Sequence, residues 1–165
     1  MAVPFLLDSN FFIEAYRSNY PFDVVPTFWE IVKELAQKKI IISIDKVEQE
    51  LQKNKDDLTE WCLANLPKDF FKDSSVSIEN YQKLILWVNS KSDQYNQNAI
   101  SEFLDADEAD AWLISYAMSS KNNIVTHEVS SPNSKKRVML PDAASPHGIN
   151  CIKTIDLYRI LGVKI

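Results

Sequence analysis

Apolar residues recur along this chain in two alternating patterns. Short runs rich in Val, Leu and Ile, at residues 3–7 (VPFLL), 40–44 (IIISI) and 123–126 (NIVT), read as strands of a buried sheet. Between them the spacing becomes helical. Residues 11–17 (FFIEAYR) follow the DSN that ends the first run, and a second helix starts near Pro26 with Phe28, Ile31, Val32 and Leu35 on one face. Asp45 is expected to cap a third helix, with Glu48 completing a capping box. Further helices are expected over 55–66, over 78–104 with a break in the polar stretch 89–98, and over 105–120 (DADEADAWLISYAMSS). Residues 136–140 read as a fourth strand and 150–153 (NCIK) as a fifth. The chain closes on a helix over 154–162, with Gly162 as its C-terminal cap.

This alternation predicts an α/β fold: a single three-layer α/β/α domain over 1–165 with a mostly parallel central sheet. In such sheets ligands bind beyond the carboxyl ends of the strands. Four acids fall at such places. Asp8 follows the first strand, Glu50 lies on the helix after the second, Asp110 sits at the start of an apolar helix, and Glu128 follows NIVTH. They lie 42, 60 and 18 residues apart, so only a folded domain brings them together.

Each acid also has an ordinary explanation. Asp8 suits an N-cap, although Ser9 and Asn10 would cap as well. Glu50 suits a solvated helix face, although Val47 and Leu51 place it at the border of the buried one. First-turn acids complement a helix dipole, which accounts for Asp105, Asp107 and Glu108. Asp110 is less easily explained, enclosed as it is by Ala109, Ala111, Trp112 and Leu113. Asp107 is an accessory candidate. Gathered at one point, such carboxylates repel one another unless a cation lies between them. Mg²⁺ or Mn²⁺ is the natural occupant, and a phosphodiester the usual substrate.

Composition narrows the field. Two glycines exclude the P-loop and the dinucleotide fingerprint, each of which needs several. Two histidines and two distant cysteines argue against a zinc site; Cys62 and Cys151 read as reduced, buried thiols. The net charge of −5 argues against broad non-specific binding to nucleic acid, but not against a nuclease whose acids bind metal. No apolar run is long enough to span a membrane and no signal peptide is evident, so a cytoplasmic protein is expected. The basic run Lys135, Lys136, Arg137 follows Glu128 closely. Lys136 and Arg137 are candidates to hold an RNA strand, while Asn10, Thr126 and His127 are candidates to orient ligands or contact phosphate.

The ordered set LLDSN, VEQEL, ADAWLISYA and VTHE resembles the PIN-domain ribonuclease superfamily, over most of the chain. It is most similar to a PIN-like branch of unknown function marked by YPFDVVPTFW and THEVSSPNSKKRVMLPD, itself similar to VapC-type toxins of toxin–antitoxin pairs. The resemblance implies a metal-dependent endoribonuclease in which Asp8, Glu50, Asp110 and Glu128 are catalytic metal ligands. The last of these is commonly Asp in that family and is Glu here. It also implies a homodimer formed near residues 12–36, an RNA substrate and an antitoxin protein partner. Tyr16, Tyr20, Phe22, Phe28 and Trp29 would supply aromatic contact surface, although core packing explains most of them. Two other readings compete. One is a catalytically inactive PIN-like module that binds protein or RNA. The other is phosphoaspartyl chemistry using Asp8, Thr126 and Lys153, which lacks the second Asp it needs because position 10 is Asn.

Overall fold

The computed structural model describes residues 2–165. Its sheet contains β1 (Phe5–Leu7), β2 (Ile41–Ile44), β3 (Phe71–Lys72), β4 (Ile124–Val125) and β5 (Cys151–Ile152), in the order β3-β2-β1-β4-β5. Every pairing is parallel. The helices are α1 (Ser9–Glu14), which runs on through a π turn at Ala15–Asn19, α2 (Pro26–Gln37), α3 (Asp45–Lys53), α4 (Asp57–Asn65), α5 (Ile78–Asn89), α6 (Gln97–Phe103), α7 (Asp110–Ser120), α8 (Leu140–Ala144) and α9 (Thr154–Leu161). The result is a three-layer α/β/α domain with an all-parallel sheet.

Parallel strands are covered on both faces, which is why the central ones are continuously apolar. Leu6, Leu7, Ile41, Ile44, Ile124 and Val125 are fully buried. Ser43, also fully buried, donates its hydroxyl to the Leu7 carbonyl at 2.6 Å and so ties β2 to β1. Buried polar groups persist where they find such partners. Of the five aromatics near the N-terminus, Phe28 and Trp29 belong to the core; Tyr20 stacks on Phe28 with ring centroids 4.3 Å apart. Tyr16 and Phe22 are partly buried against the same cluster.

The structure departs from the sequence reading in three places. Residues 136–140 form no strand: Lys136 and Arg137 are exposed, and Pro141, which has no N–H for a ladder, stands in the first turn of α8. The remaining strand is instead the two-residue β3, too short to display a period, paired through Ser43↔Phe71 and Ile44↔Lys72. The capping box at Asp45 does not form. Asp45 is already helical, and its Oδ1 accepts from the N–H groups of Lys46 (3.0 Å) and Ser74 (3.1 Å), fastening the turn after β3. Finally, α7 begins at Asp110 rather than near 105, because Asp105 accepts from the Asp107 N–H at 2.9 Å and closes a separate turn. Among the described residues, no helix is long and apolar enough to cross a membrane.

Candidate metal centre

Register builds the site. Leu7 pairs with Val125, so Asp8 and Thr126 leave the sheet side by side at its carboxyl end. From β1 the chain extends the sheet through β2 and β3 on one side, then through β4 and β5 on the other. The gap between β1 and β4 is therefore the topological switch point, where open α/β sheets bind ligands. Asp8 caps α1 from an extended backbone, with φ −77° and ψ 159°. Its Oδ1 accepts from the Ser9 N–H at 2.7 Å and its Oδ2 from the Thr126 hydroxyl at 2.9 Å.

Glu128 reaches back to the same point. Its own N–H donates to Thr126 Oγ1 at 3.1 Å, the Leu140 N–H donates to its Oε2 at 2.7 Å, and Arg137 Nη2 donates to its Oε1. Asp110 arrives from the first residue of α7. One oxygen from each of Asp8, Asp110 and Glu128 lies within 4.8 Å of the others. Of the four acids expected to gather at one point, these three do.

Glu50 stands beside this group rather than in it. Its Oε1 accepts from the Ala109 N–H and its Oε2 from the Ser9 hydroxyl, both at 2.9 Å. It thereby spans the residue after Asp8 and the residue before Asp110. Asp107 is exposed and stays outside, so Glu128 is the acid that completes the cluster. Asn10, Thr126 and His127 tie the ends of β1 and β4 together beside the triad. Asn10 donates to Thr126 Oγ1 at 3.2 Å and accepts from the His127 N–H at 3.0 Å, while His127 Nε2 lies 3.1 Å from Thr154 Oγ1. Lys136 is exposed. Ser9, the Ala109 N–H and the Leu140 N–H were not legible in the sequence as parts of the site; only the polar DSN cluster hinted at the first.

Burial and mutual repulsion shift the acids of the cluster. Asp8 is 3% exposed, and its pKa is pushed up to about 7. Burial is the main cause, with Glu128 and Glu50 adding to it and the Thr126 and Ser9 hydrogen bonds opposing it. Asp110 is raised well above the usual carboxylate range, again by burial first, then by Asp8, Glu128 and Glu50, with Arg137 pulling the other way. Glu50 is raised mainly by burial. A cation among these oxygens would relieve the repulsion, so the triad could hold a metal ion. The donor set is all oxygen and suits a hard ion. Burial pushes the Cys62 and Cys151 thiols up to about 12, with the triad acids adding to the effect at Cys151. Burial holds the His127 ring below its ordinary value. Access is from the Asp110 side, where 22% of that side chain and 51% of Arg137 remain open.

Residues 5–165 match the model of a family described as "Domain of unknown function (DUF4411)". No curated protein matches, and no solved structure does.

Proposed function

We propose that this chain, which belongs to the family of unknown function DUF4411, is a divalent-metal-dependent ribonuclease of PIN-like type. The observation that carries the reading is the meeting of Asp8, Asp110 and Glu128 at the switch point of a parallel sheet. Mg²⁺ or Mn²⁺ would be held by these three acids. When bound, such an ion supplies an activated water and offsets charge on the scissile phosphate. The protein's part is positioning. Thr126 fixes the Asp8 carboxylate, the Leu140 N–H fixes Glu128, and Glu50 braces the segments that carry Asp8 and Asp110. Lys136 and Arg137 offer positive charge to the RNA backbone. Hydrolysis by water needs no side-chain nucleophile, and His127 is engaged with Thr154. The same reading takes a cytoplasmic homodimer partnered by an antitoxin as the working form, with Tyr16, Tyr20 and Phe22 as contact residues.

The chemistry of the product ends tests this. Attack by water leaves no 2′,3′-cyclic phosphate, whereas attack by the ribose 2′-hydroxyl does. Mixed-sequence RNA incubated with Mn²⁺ or Mg²⁺ is expected to be cut, to carry no cyclic ends, and to survive intact in EDTA. A folded protein that leaves every RNA uncut would favour a PIN-like binding module instead. Cleavage that persists in EDTA would refute the metal-dependent reading.

Glu50 separates ligation from bracing. Glutamine can still accept from the Ala109 N–H and donate to the Ser9 hydroxyl, so Glu50→Gln should cut RNA within a few-fold of the parent. Glu50→Ala leaves the Ala109 N–H without its partner and should lose about 10–100-fold, as outer-shell removals do. Steady-state cleavage rates of the two variants decide it. Equal loss in both would make Glu50 a direct ligand.

A further inference from the structure

Arg137 is the cation the triad already has. Its Nη2 donates to Glu128 Oε1 and lies 3.9 Å from Asp110 Oδ2. The backbone around it is anchored. The Lys135 carbonyl accepts from the Asn96 N–H at 2.9 Å, Gln94 Nε2 donates to the Pro132 carbonyl at 2.6 Å, and Val138 is buried. Earlier in the loop, the Ser131 N–H is held by Asp142 at 2.7 Å. The side chain itself is half open to solvent. A fixed backbone with a half-exposed guanidinium holds one positive charge on the acids by the side chain alone.

We propose that Arg137 competes with the divalent ion for Glu128 and Asp110, and that ion binding frees its guanidinium to hold the phosphodiester. The proposal rests on the metal-site reading above and adds a regulator to it. A dication drawn to these two carboxylates meets the repulsion of a guanidinium already held there. Displaced, the planar fork matches two phosphate oxygens better than any other side chain would. The anchored loop keeps it beside the triad. Arg137 thus shields the acids while no ion is bound, and contributes to the grip on RNA once one is.

Calorimetric titration with Mn²⁺ tests the competition without reference to activity. Arg137→Gln should bind Mn²⁺ about tenfold more tightly than the parent, because a positive charge that competes for two of the carboxylates is gone. Arg137→Lys, which keeps the charge, should stay near the parent value. Cleavage should move in the opposite direction, falling at least about tenfold in Arg137→Gln through a raised KM. Tighter metal binding with poorer cleavage is the signature. Unchanged or weaker Mn²⁺ binding in Arg137→Gln overturns the competition, and undiminished cleavage overturns the phosphate role. If parent and variants bind Mn²⁺ but none cuts RNA, the ribonuclease assignment fails, while the titration still decides the competition.

Discussion

Asp8→Asn and Asp110→Asn each abolish Mn²⁺-dependent cleavage, yet in EDTA at about pH 8 each variant melts above the parent. The loss of activity should exceed the roughly 10–100-fold that outer-shell substitutions cost, because each change removes an oxygen anion from the triad itself. The gain in stability has the same origin. Both carboxyls are raised by burial and by their acidic neighbours, so the folded state resists their ionisation. An amide at position 8 keeps the bond its oxygen accepts from the Ser9 N–H, while its NH₂ replaces the acceptor that the Thr126 hydroxyl had, so the hydroxyl turns to Asn10 Oδ1, already 3.4 Å away. A relief of about 1 kcal/mol in a chain of this size raises the melting temperature by roughly 2–4 °C. Differential scanning calorimetry alongside an RNA cleavage assay measures both effects. A variant that cuts RNA at the parental rate removes its residue from the catalytic set.

The parent without metal should lose stability as the pH rises from about 5 to about 8, and Mn²⁺ should restore it at the upper end. Asp8 titrates near 3.8 when unfolded and at about 7 when folded. A carboxyl raised in this way stabilises fully below its unfolded pKa, and that contribution is lost as the pH climbs through the folded one. Asp110, displaced in the same direction, adds to the trend. Because Asp8 and its acidic neighbours titrate as a group, the loss over this window belongs to the cluster, at about 1.4 kcal/mol per pKa unit. His127, whose folded pKa is lowered, works in the opposite sense, so the profile of Asp8→Asn is the control. Urea midpoints in EDTA across the window should fall steeply for the parent and more gently for the variant. A bound ion favours the folded state by mass action, and saturating Mn²⁺ should raise the parental midpoint most at about pH 8. A midpoint in EDTA that climbs with pH would contradict the buried, mutually repelling acids.

Much of this site could be read from the chain because strand ends are conspicuous. FLL followed by DSN, and IV followed by THE, place an acid beyond each of the two central strands, and the α/β pattern says that such positions meet. Asp110 was legible as an acid in apolar company. The role of Glu50 was not, because it depends on two partners, the Ser9 hydroxyl and the Ala109 N–H, that lie 41 and 59 residues away. A contact to a backbone N–H leaves no mark in the residue types. Asn10, Thr126 and His127 showed in the sequence as polar groups near the site. The bonds that link them to one another appear only once β1 and β4 are paired. The misread strand at 136–140 has a similar cause. Val138 and Leu140 are buried, as in a strand, but they are buried from a loop and the start of α8. That irregular path brings Arg137 to Glu128 and sets the Leu140 N–H on its other oxygen.

Titration of Mn²⁺ into the purified protein and into Asp110→Asn, followed by isothermal calorimetry at about pH 8, tests most directly whether these acids form a metal centre. Saturable binding by the parent that disappears in the variant is the expected result. Equal binding by both proteins, or none by a folded parent, would contradict a metal centre built on Asp8, Asp110 and Glu128.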